Sequence, residues 1–356
     1  MKLSFLYGSD LKLLRKRLRH YGIDWNAHTL TYLPLHYLFG LYNSLFQNSE
    51  PDTSQIEVKK PVFILGHFRC GTTHLHNLMS VDGNYVAPNT FQVSFPRIFL
   101  RHEKYLAPIL QLLSPNTRPQ DNMRLKMKFP QEDEIALIGL GTTSPYMAAH
   151  FPNAIEDFRK YIDLDLEEKM LDSWKLCHLN FAKKLSFTLK DRQYLVFKSP
   201  CHMARVKHIL ELYPDARFIH IHRDPWEVAH SSLKMYQSWF KMVHFQDTSS
   251  LQNSIEEIFI DNYSILYDAY FKQKELIPKG NLYEFSYNEL ISDRLGTIRN
   301  IYQFLGDREV NELKFKEYCR SISNYKRNTY ESMNPELRQR LSRHLQRVCQ
   351  TYSYNL

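Results

Sequence analysis

Three groups of residues in this 356-residue chain have the types and spacing to do chemistry. The first is the run Gly66-His67-Phe68-Arg69-Cys70-Gly71-Thr72-Thr73, in which two glycines bracket four residues and two threonines follow. A glycine loop opening onto a helix aims backbone N–H groups and the positive end of the helix dipole at one point, where an anion binds. Arg69 and the threonine hydroxyls add donors suited to phosphate oxygens. The triphosphatase form of this loop needs lysine ahead of its Ser/Thr; Thr72 stands there instead. No clear acid follows a strand to hold magnesium, so triphosphate chemistry is poorly served. The second group lies in YPDARFIHIHRDPWEVAHSS, which reads as strand, turn and helix, with Asp224-Pro225 turning the chain after Arg223, whose guanidinium fork suits a phosphate. The third is Glu132-Asp133-Glu134, after Pro130 and directly before an apolar run. First-turn acids are stabilised by the helix dipole and are commonly no more than that. Three together exceed what a cap needs, which makes one a candidate general base, with Glu132 ahead of Glu134.

The elements that must position these groups follow from periodicity. Five short β-branched or aromatic runs, Pro61–Leu65, Tyr85–Ala87, Tyr194–Phe197, Arg217–His222 and Asn281–Phe285, alternate with helical patterns. That alternation predicts an α/β domain with a mainly parallel sheet. The glycine loop lies after the first run, and Arg223 at the end of the fourth. The long gap between the second and third runs predicts a helical insert over about 100–190, suited to substrate choice. Tyr287–Leu305 reads as one helix, and Asn334-Pro335-Glu336 as the start of the last. Residues 9–20 form a basic amphipathic pattern capped by Ser9 or Asp10. Residues 29–46 are apolar and aromatic, interrupted by Pro34 and Gly40. Two readings stay open for 9–46: a helical pair covering the domain core, or a surface lying on a bilayer, making peripheral membrane contact. The polar stretch 48–60 is the linker candidate. The expected division is 1–60 as a helical extension, 61–306 as the α/β domain with its insert, and 307–356 as a C-terminal helical segment packed on it.

Composition narrows the classes. Hydrophobic residues make up 43% and charged residues 24%, which excludes disorder and low-complexity architectures. A net charge of +8 suits an anionic ligand or a membrane surface. No basic-aromatic stripe or helix-turn-helix pattern supports nucleic acid as a partner. The five cysteines are widely spaced with no C-x-x-C, so neither a disulfide framework nor a zinc site is expected, and a reducing, cytoplasmic setting fits best, with membrane association left open. No run approaches the roughly 18 apolar residues of a membrane span.

The segment GHFRCGTT resembles the 5′-phosphosulfate loop of sulfotransferases that use 3′-phosphoadenosine 5′-phosphosulfate (PAPS). Cys70 stands where serine is usual, and Arg69 at the Lys/Arg position. YPDARFIHIHRDPWEVAHSS resembles that family's second motif, whose arginine and serine, here Arg223 and Ser231, hold the 3′-phosphate. YLVFKSPCH resembles the L-K-S-P strand end of the bacterial branch, with Lys198 near the sulfuryl site, and FSYNELISD the segment whose tyrosine, here Tyr287, lies near the adenine. The P-Q-E-D-E segment also recurs in that branch. Over about 60–306 the resemblance implies a P-loop nucleotide-kinase-like parallel sheet flanked by helices. It implies in-line sulfuryl transfer from PAPS to an alcohol, lipid-like or glycan, without metal. Cofactor contacts are then expected from Arg69, Cys70, Gly71, Thr72, Thr73, Arg223, Ser231 and Tyr287. Arg69 and Lys198 would stabilise charge, and Glu132, Glu134 or His202 would take the acceptor proton. The chain departs from the tyrosylprotein branch at Ala87-Pro88-Asn89-Thr90, where that branch has a glutamate. A variant P-loop kinase and a non-catalytic, membrane-peripheral nucleotide-binding protein are the alternatives.

Overall fold

The computed structural model describes residues 4–115, 117, 125–239, 243–252, 254–306, 309–323 and 333–356. Residues 121–124, which precede the acidic segment and fall in the expected insert, lie outside them. The strands are β1 Val62–Leu65, β2 Tyr85–Val86, β3 Tyr194–Lys198, β4 Arg217–His222 and β5 Leu282–Ser286. The helices used below are α1 Leu11–Tyr21, α2 Ala27–Phe46, α3 Thr72–Met79, α4 Phe99–Leu113, α5 Asp133–Leu140, α6 Glu168–Ser186, α7 Pro225–Trp239, α8 Ile255–Gln273, α9 Tyr287–Ser292, α10 Arg294–Leu305 and α11 Pro335–Tyr352.

All five strands form one parallel sheet in the order β2-β3-β1-β4-β5. β1, flanked by β3 and β4, is buried along its whole length. That is why it is a continuous apolar run, Val-Phe-Ile-Leu, rather than an alternating one. The chain divides into two compact units. One comprises 1–58, 88–190 and 235–255, and the other 59–87, 191–234 and 256–356.

The second unit, here the sheet unit, holds β1–β5. Leu75, Leu78 and Met79 of α3 share its core with Val62, Val196 and Ile219 of the strands and Ile298 and Ile301 of α10. Near its end α11 joins this unit: Leu341, Leu345 and Val348 are buried, and Tyr352 stacks on His222 of β4 at 3.8 Å. The single helix expected over 287–305 is two. Asp293 breaks it, because its side chain accepts the Gly296 N–H and starts α10 afresh.

The other unit is helical. Asp10, not Ser9, caps α1, its carboxylate accepting from the Leu13 N–H at 2.8 Å. Arg17 departs from the solvent-facing pattern of its basic neighbours. It is buried, donating to Ser9 Oγ and to the carbonyl oxygens of Ile138 and Thr142. The expected interruption at Pro34 and Gly40 does not occur, and α2 runs unbroken through both. Pro34 lies on the exposed side of the helix, while Gly40 is buried against α1.

Candidate functional site

In the sheet unit the end of β1, the loop 66–71 and the start of α3 form the strand–loop–helix cradle. Two glycines are required sterically. A Cβ on Gly66 would lie 2.6 Å from Thr72 Cγ2 and 2.8 Å from the Ile221 carbonyl. Gly71 adopts φ +94°, and a Cβ there would lie 2.4 Å from the Tyr287 ring. Arg69 also has positive φ, 70°, a conformation uncommon for a non-glycine residue that turns the loop back on itself. The N–H groups of the first α3 turn, Thr72 and Thr73 among them, have no intrahelical partner by construction. The Cys70 N–H does not join them: it donates to the His67 carbonyl at 3.1 Å, closing a turn.

Four side chains from elsewhere in this unit converge on the cradle. The Arg69 Nε donates to Ser231 Oγ at 2.8 Å. Arg223, after the end of β4, donates from Nη1 to the Arg69 carbonyl at 3.0 Å and lies 4.5 Å over the Tyr287 ring. Lys198, the last residue of β3 and only 1% exposed, donates to Thr73 Oγ1 at 3.3 Å. Parallel strands with in-register ends bring this about: Ile64 pairs with Lys198 and with Ile219, so residues 66, 198 and 223 all lie at or beyond the strands' C-terminal ends. In open α/β sheets ligands bind at that edge. Arg223 also pairs with Glu227 one helical turn on, at 2.5 Å. Glu227 did not stand out in the sequence, since Arg223 precedes the helix on which Glu227 lies.

Cys70 is fully buried, and burial pushes its thiol up to about 12, so it is an inert loop filler rather than a reactive thiol. His67 is buried beside Tyr263 and Tyr267, and burial lowers it to about 4. His220 and His222 are packing residues too: His220 stacks on Tyr270 at 4.3 Å and meets Glu284 at 3.2 Å. Burial alone would raise the Glu284 carboxyl, but His220, Tyr270 and Tyr352, hydrogen-bonded to it, hold it well below the ordinary value. His202, buried after β3, meets Phe63 edge-on at 5.2 Å.

Glu132 and Glu134 belong to the helical unit. The three acids at the start of α5 have three different surroundings. Asp133 is fully buried against His178 of α6 at 3.3 Å. Glu134 is buried. Glu132, the N-cap residue, is partly exposed and accepts the Tyr146 hydroxyl. Tyr146 in turn packs on Phe5 at 5.6 Å and Trp239 at 5.2 Å. Neither His178 nor Tyr146 stood out in the sequence, since each lies many residues from its partner with no periodic relation to it.

Residues 61–309 match the family described as the Sulfotransferase family. The chain is 32% identical over 298 residues to omega-hydroxy-beta-dihydromenaquinone-9 sulfotransferase Stf3 of Mycobacterium bovis and of Mycobacterium tuberculosis, covering 83% of this chain and 75% of each relative. Among solved structures it is similar to sulfotransferase STF9 from Mycobacterium avium, with TM-score 0.67, 15% identity and 98% of both chains covered. It is also similar to sulfotransferase STF1 from M. tuberculosis, with TM-score 0.64, 17% identity and 93% of this chain and 90% of that one covered. At such identities these two speak to the fold alone. With a family match over most of its length and a relative this similar, the chain belongs to the sulfotransferase family and is an enzyme of that class.

Proposed function

We propose that this sulfotransferase takes its sulfuryl group from PAPS and places it on the hydroxyl of a lipid-like alcohol. The observation that carries the donor assignment is the convergence of Arg69, Arg223, Lys198, Ser231, Thr73 and Tyr287 on one glycine loop. In this reading Gly71, Thr72 and Thr73 hold the 5′-phosphosulfate at the α3 N-terminus, with Cys70 filling the loop beneath. Arg223 and Ser231 hold the 3′-phosphate, and the Arg69–Ser231 hydrogen bond couples the two phosphate positions. Tyr287, whose ring meets Gly71 and lies under Arg223, supports the adenine end.

Glu132 is the base in this proposal because it alone of the three acids is partly exposed, Asp133 being engaged with His178 and Glu134 buried. Glu134 and His202 rank behind it. Glu132 takes the acceptor proton, the acceptor oxygen bonds to sulfur, and the bond from sulfur to the 5′-phosphate oxygen breaks, leaving 3′,5′-adenosine bisphosphate. Arg69 and Lys198 offset the charge on the leaving phosphate. A sulfuryl group carries less charge than a phosphoryl, so these side chains can stand where phosphoryl transfer needs magnesium, and the proposal includes no metal.

One thing favours a lipid alcohol over a glycan: the relative named above acts, by its name, on an omega-hydroxy-dihydromenaquinone. Peripheral membrane contact through residues 9–46 belongs to the same reading. The test is a titration with 3′,5′-adenosine bisphosphate without magnesium, beside ATP, followed by PAPS turnover on an ω-hydroxylated prenylquinone and on a glycan. Bisphosphate binding that collapses in Arg223→Ala, with transfer to the lipid, supports it. A preference for magnesium-ATP sinks the donor assignment, and transfer to the glycan alone sinks the acceptor.

A further inference from the structure

We propose that the outer faces of α2 and α4 dock on an anionic bilayer surface, with α1 supplying the charge contact. This deepens the membrane contact put forward above and rests on it, but not on the donor or the acceptor.

The helix α2 is built inside out. Its buried stripe is Thr29, Leu33, His36, Gly40 and Asn43. The polar members are engaged inward, His36 Nε2 with Ser4 Oγ at 2.7 Å and Asn43 Nδ2 with the carbonyls of Tyr7 and Ser9. Its outer stripe carries Leu30, Leu38, Leu41 and Leu45, each between 46% and 66% exposed, with Trp25 just before the helix at 71%. A water-facing helix has the opposite arrangement. Its neighbour α4 repeats the pattern, with Tyr105, Ile109, Leu112 and Leu113 all more than half exposed. The two helices adjoin, since the Tyr42 hydroxyl meets His102 Nδ1 at 2.7 Å and Phe46 packs on the same ring. An apolar surface of this extent marks an interaction site.

Charge selects the occupant. The exposed side of α1 is basic, with Lys12, Arg15, Lys16 and Arg19, and Arg15 reaches over the Tyr37 ring of α2 at 5.9 Å. Exposed Arg101 and Lys104 head the apolar face of α4. Leucines with a tryptophan at one end and cations alongside match the interface of an anionic membrane. A second copy of this chain docked through the same patch would bring like charges together. Among the described residues no helix is long and apolar enough to cross a membrane, so α2 lies on the surface.

Flotation of the full chain with phosphatidylcholine vesicles, with and without about 30% phosphatidylglycerol, tests this. Binding is expected with the anionic vesicles, weakening as salt rises. Leu38→Glu with Leu41→Glu should lower partitioning at least tenfold. Lys12→Gln with Arg15→Gln should lower it about fivefold per cation, on anionic vesicles only. Retained 3′,5′-adenosine bisphosphate binding shows that these variants are folded. The proposal is overturned if the wild type fails to float on anionic vesicles at low salt, or if the leucine variant floats like the wild type. It is equally overturned if the leucines instead hold a dimer that the variant splits. A wild-type protein that floats on anionic vesicles but does not bind bisphosphate would sink the donor assignment and leave this surface standing.

Discussion

In the sheet unit Arg69, Lys198 and Arg223 all turn toward one loop, whereas in the helical unit the most deeply buried cation, Arg17, is committed to the fold. Arg17 bonds Ser9 and two carbonyl oxygens, and although burial lowers it to about 10 it stays charged at neutral pH. The partners of the loop cations include a serine hydroxyl, a threonine hydroxyl, a half-exposed carboxylate and the face of a ring, beside the Arg69 carbonyl that Arg223 also holds. Residue type therefore says little about a basic group's use. What separates the two cases is position: Arg17 ties two carbonyl oxygens together inside the helical unit, whereas Arg69, Lys198 and Arg223 meet hydroxyls and a carboxylate at the C-terminal ends of the strands, where ligands bind.

Breaking Arg17 should have the largest effect. Arg17→Met leaves the Ile138 and Thr142 carbonyls orphaned in the interior and should cost about 3–5 kcal/mol in urea unfolding. Bisphosphate affinity of the folded fraction should be unchanged; a comparable loss of affinity would mean that the two units' charges are not separable. Next comes Arg223→Ala, expected to lower bisphosphate affinity about 100-fold, as for loss of charge-assisted bonds to phosphate, with unfolding nearly unaffected. Isothermal titration beside a denaturation curve distinguishes the two. An unchanged affinity would remove Arg223 from the donor site.

The same contrast governs what the sequence disclosed. The five strands, their parallel pairing and the loop were legible because each is encoded locally: a buried apolar run, a glycine pair, a helix start. Arg223 and Ser231 were legible through the resemblance of YPDARFIHIHRDPWEVAHSS to the family's second motif. The helical unit was read less well. The proline at 34 suggested a break, yet it lies on the exposed side and the helix continues. Arg17 looked like one more basic surface residue, because its partners at 138 and 142 are remote in sequence. The pairs Asp133–His178 and Glu132–Tyr146 depend on helix packing that no local pattern records.

Acid should expose the helical unit's dependence on buried neutral groups. Burial lowers His36 to about 4 and His150 to about 3, the latter helped by the neighbouring His36. In the unfolded chain both protonate near 6.5. Between pH 6.5 and about 4 the unfolded state therefore binds more protons, and stability falls as pH drops through that window. The loss should reach at most about 3 kcal/mol for His36 and about 5 kcal/mol for His150, levelling off below the folded values. Urea midpoints measured from pH 7 to 4 give the slope, and His36→Gln should flatten it. A slope unaltered in that variant would assign the acid sensitivity elsewhere, with His67 of the sheet unit the first candidate, since burial lowers it to about 4 as well.

The smallest effect is expected at Cys70, which stands where the loop motif it resembles has serine. Cys70 contributes volume, its Sγ lying 4.0 Å from the Tyr267 hydroxyl, and its N–H is held by His67 whatever the side chain. Cys70→Ser exchanges a thiol for a smaller hydroxyl within reach of a partner, so stability should change by less than about 1 kcal/mol and bisphosphate affinity by less than about threefold. With its thiol raised to about 12, Cys70 should also resist alkylation at pH 8 until the protein is unfolded. Rapid labelling of Cys70 in the native protein, blocked by bisphosphate, would reverse this reading: the sulfur would then face the ligand, and the loop's chemistry would include a thiol that burial now hides.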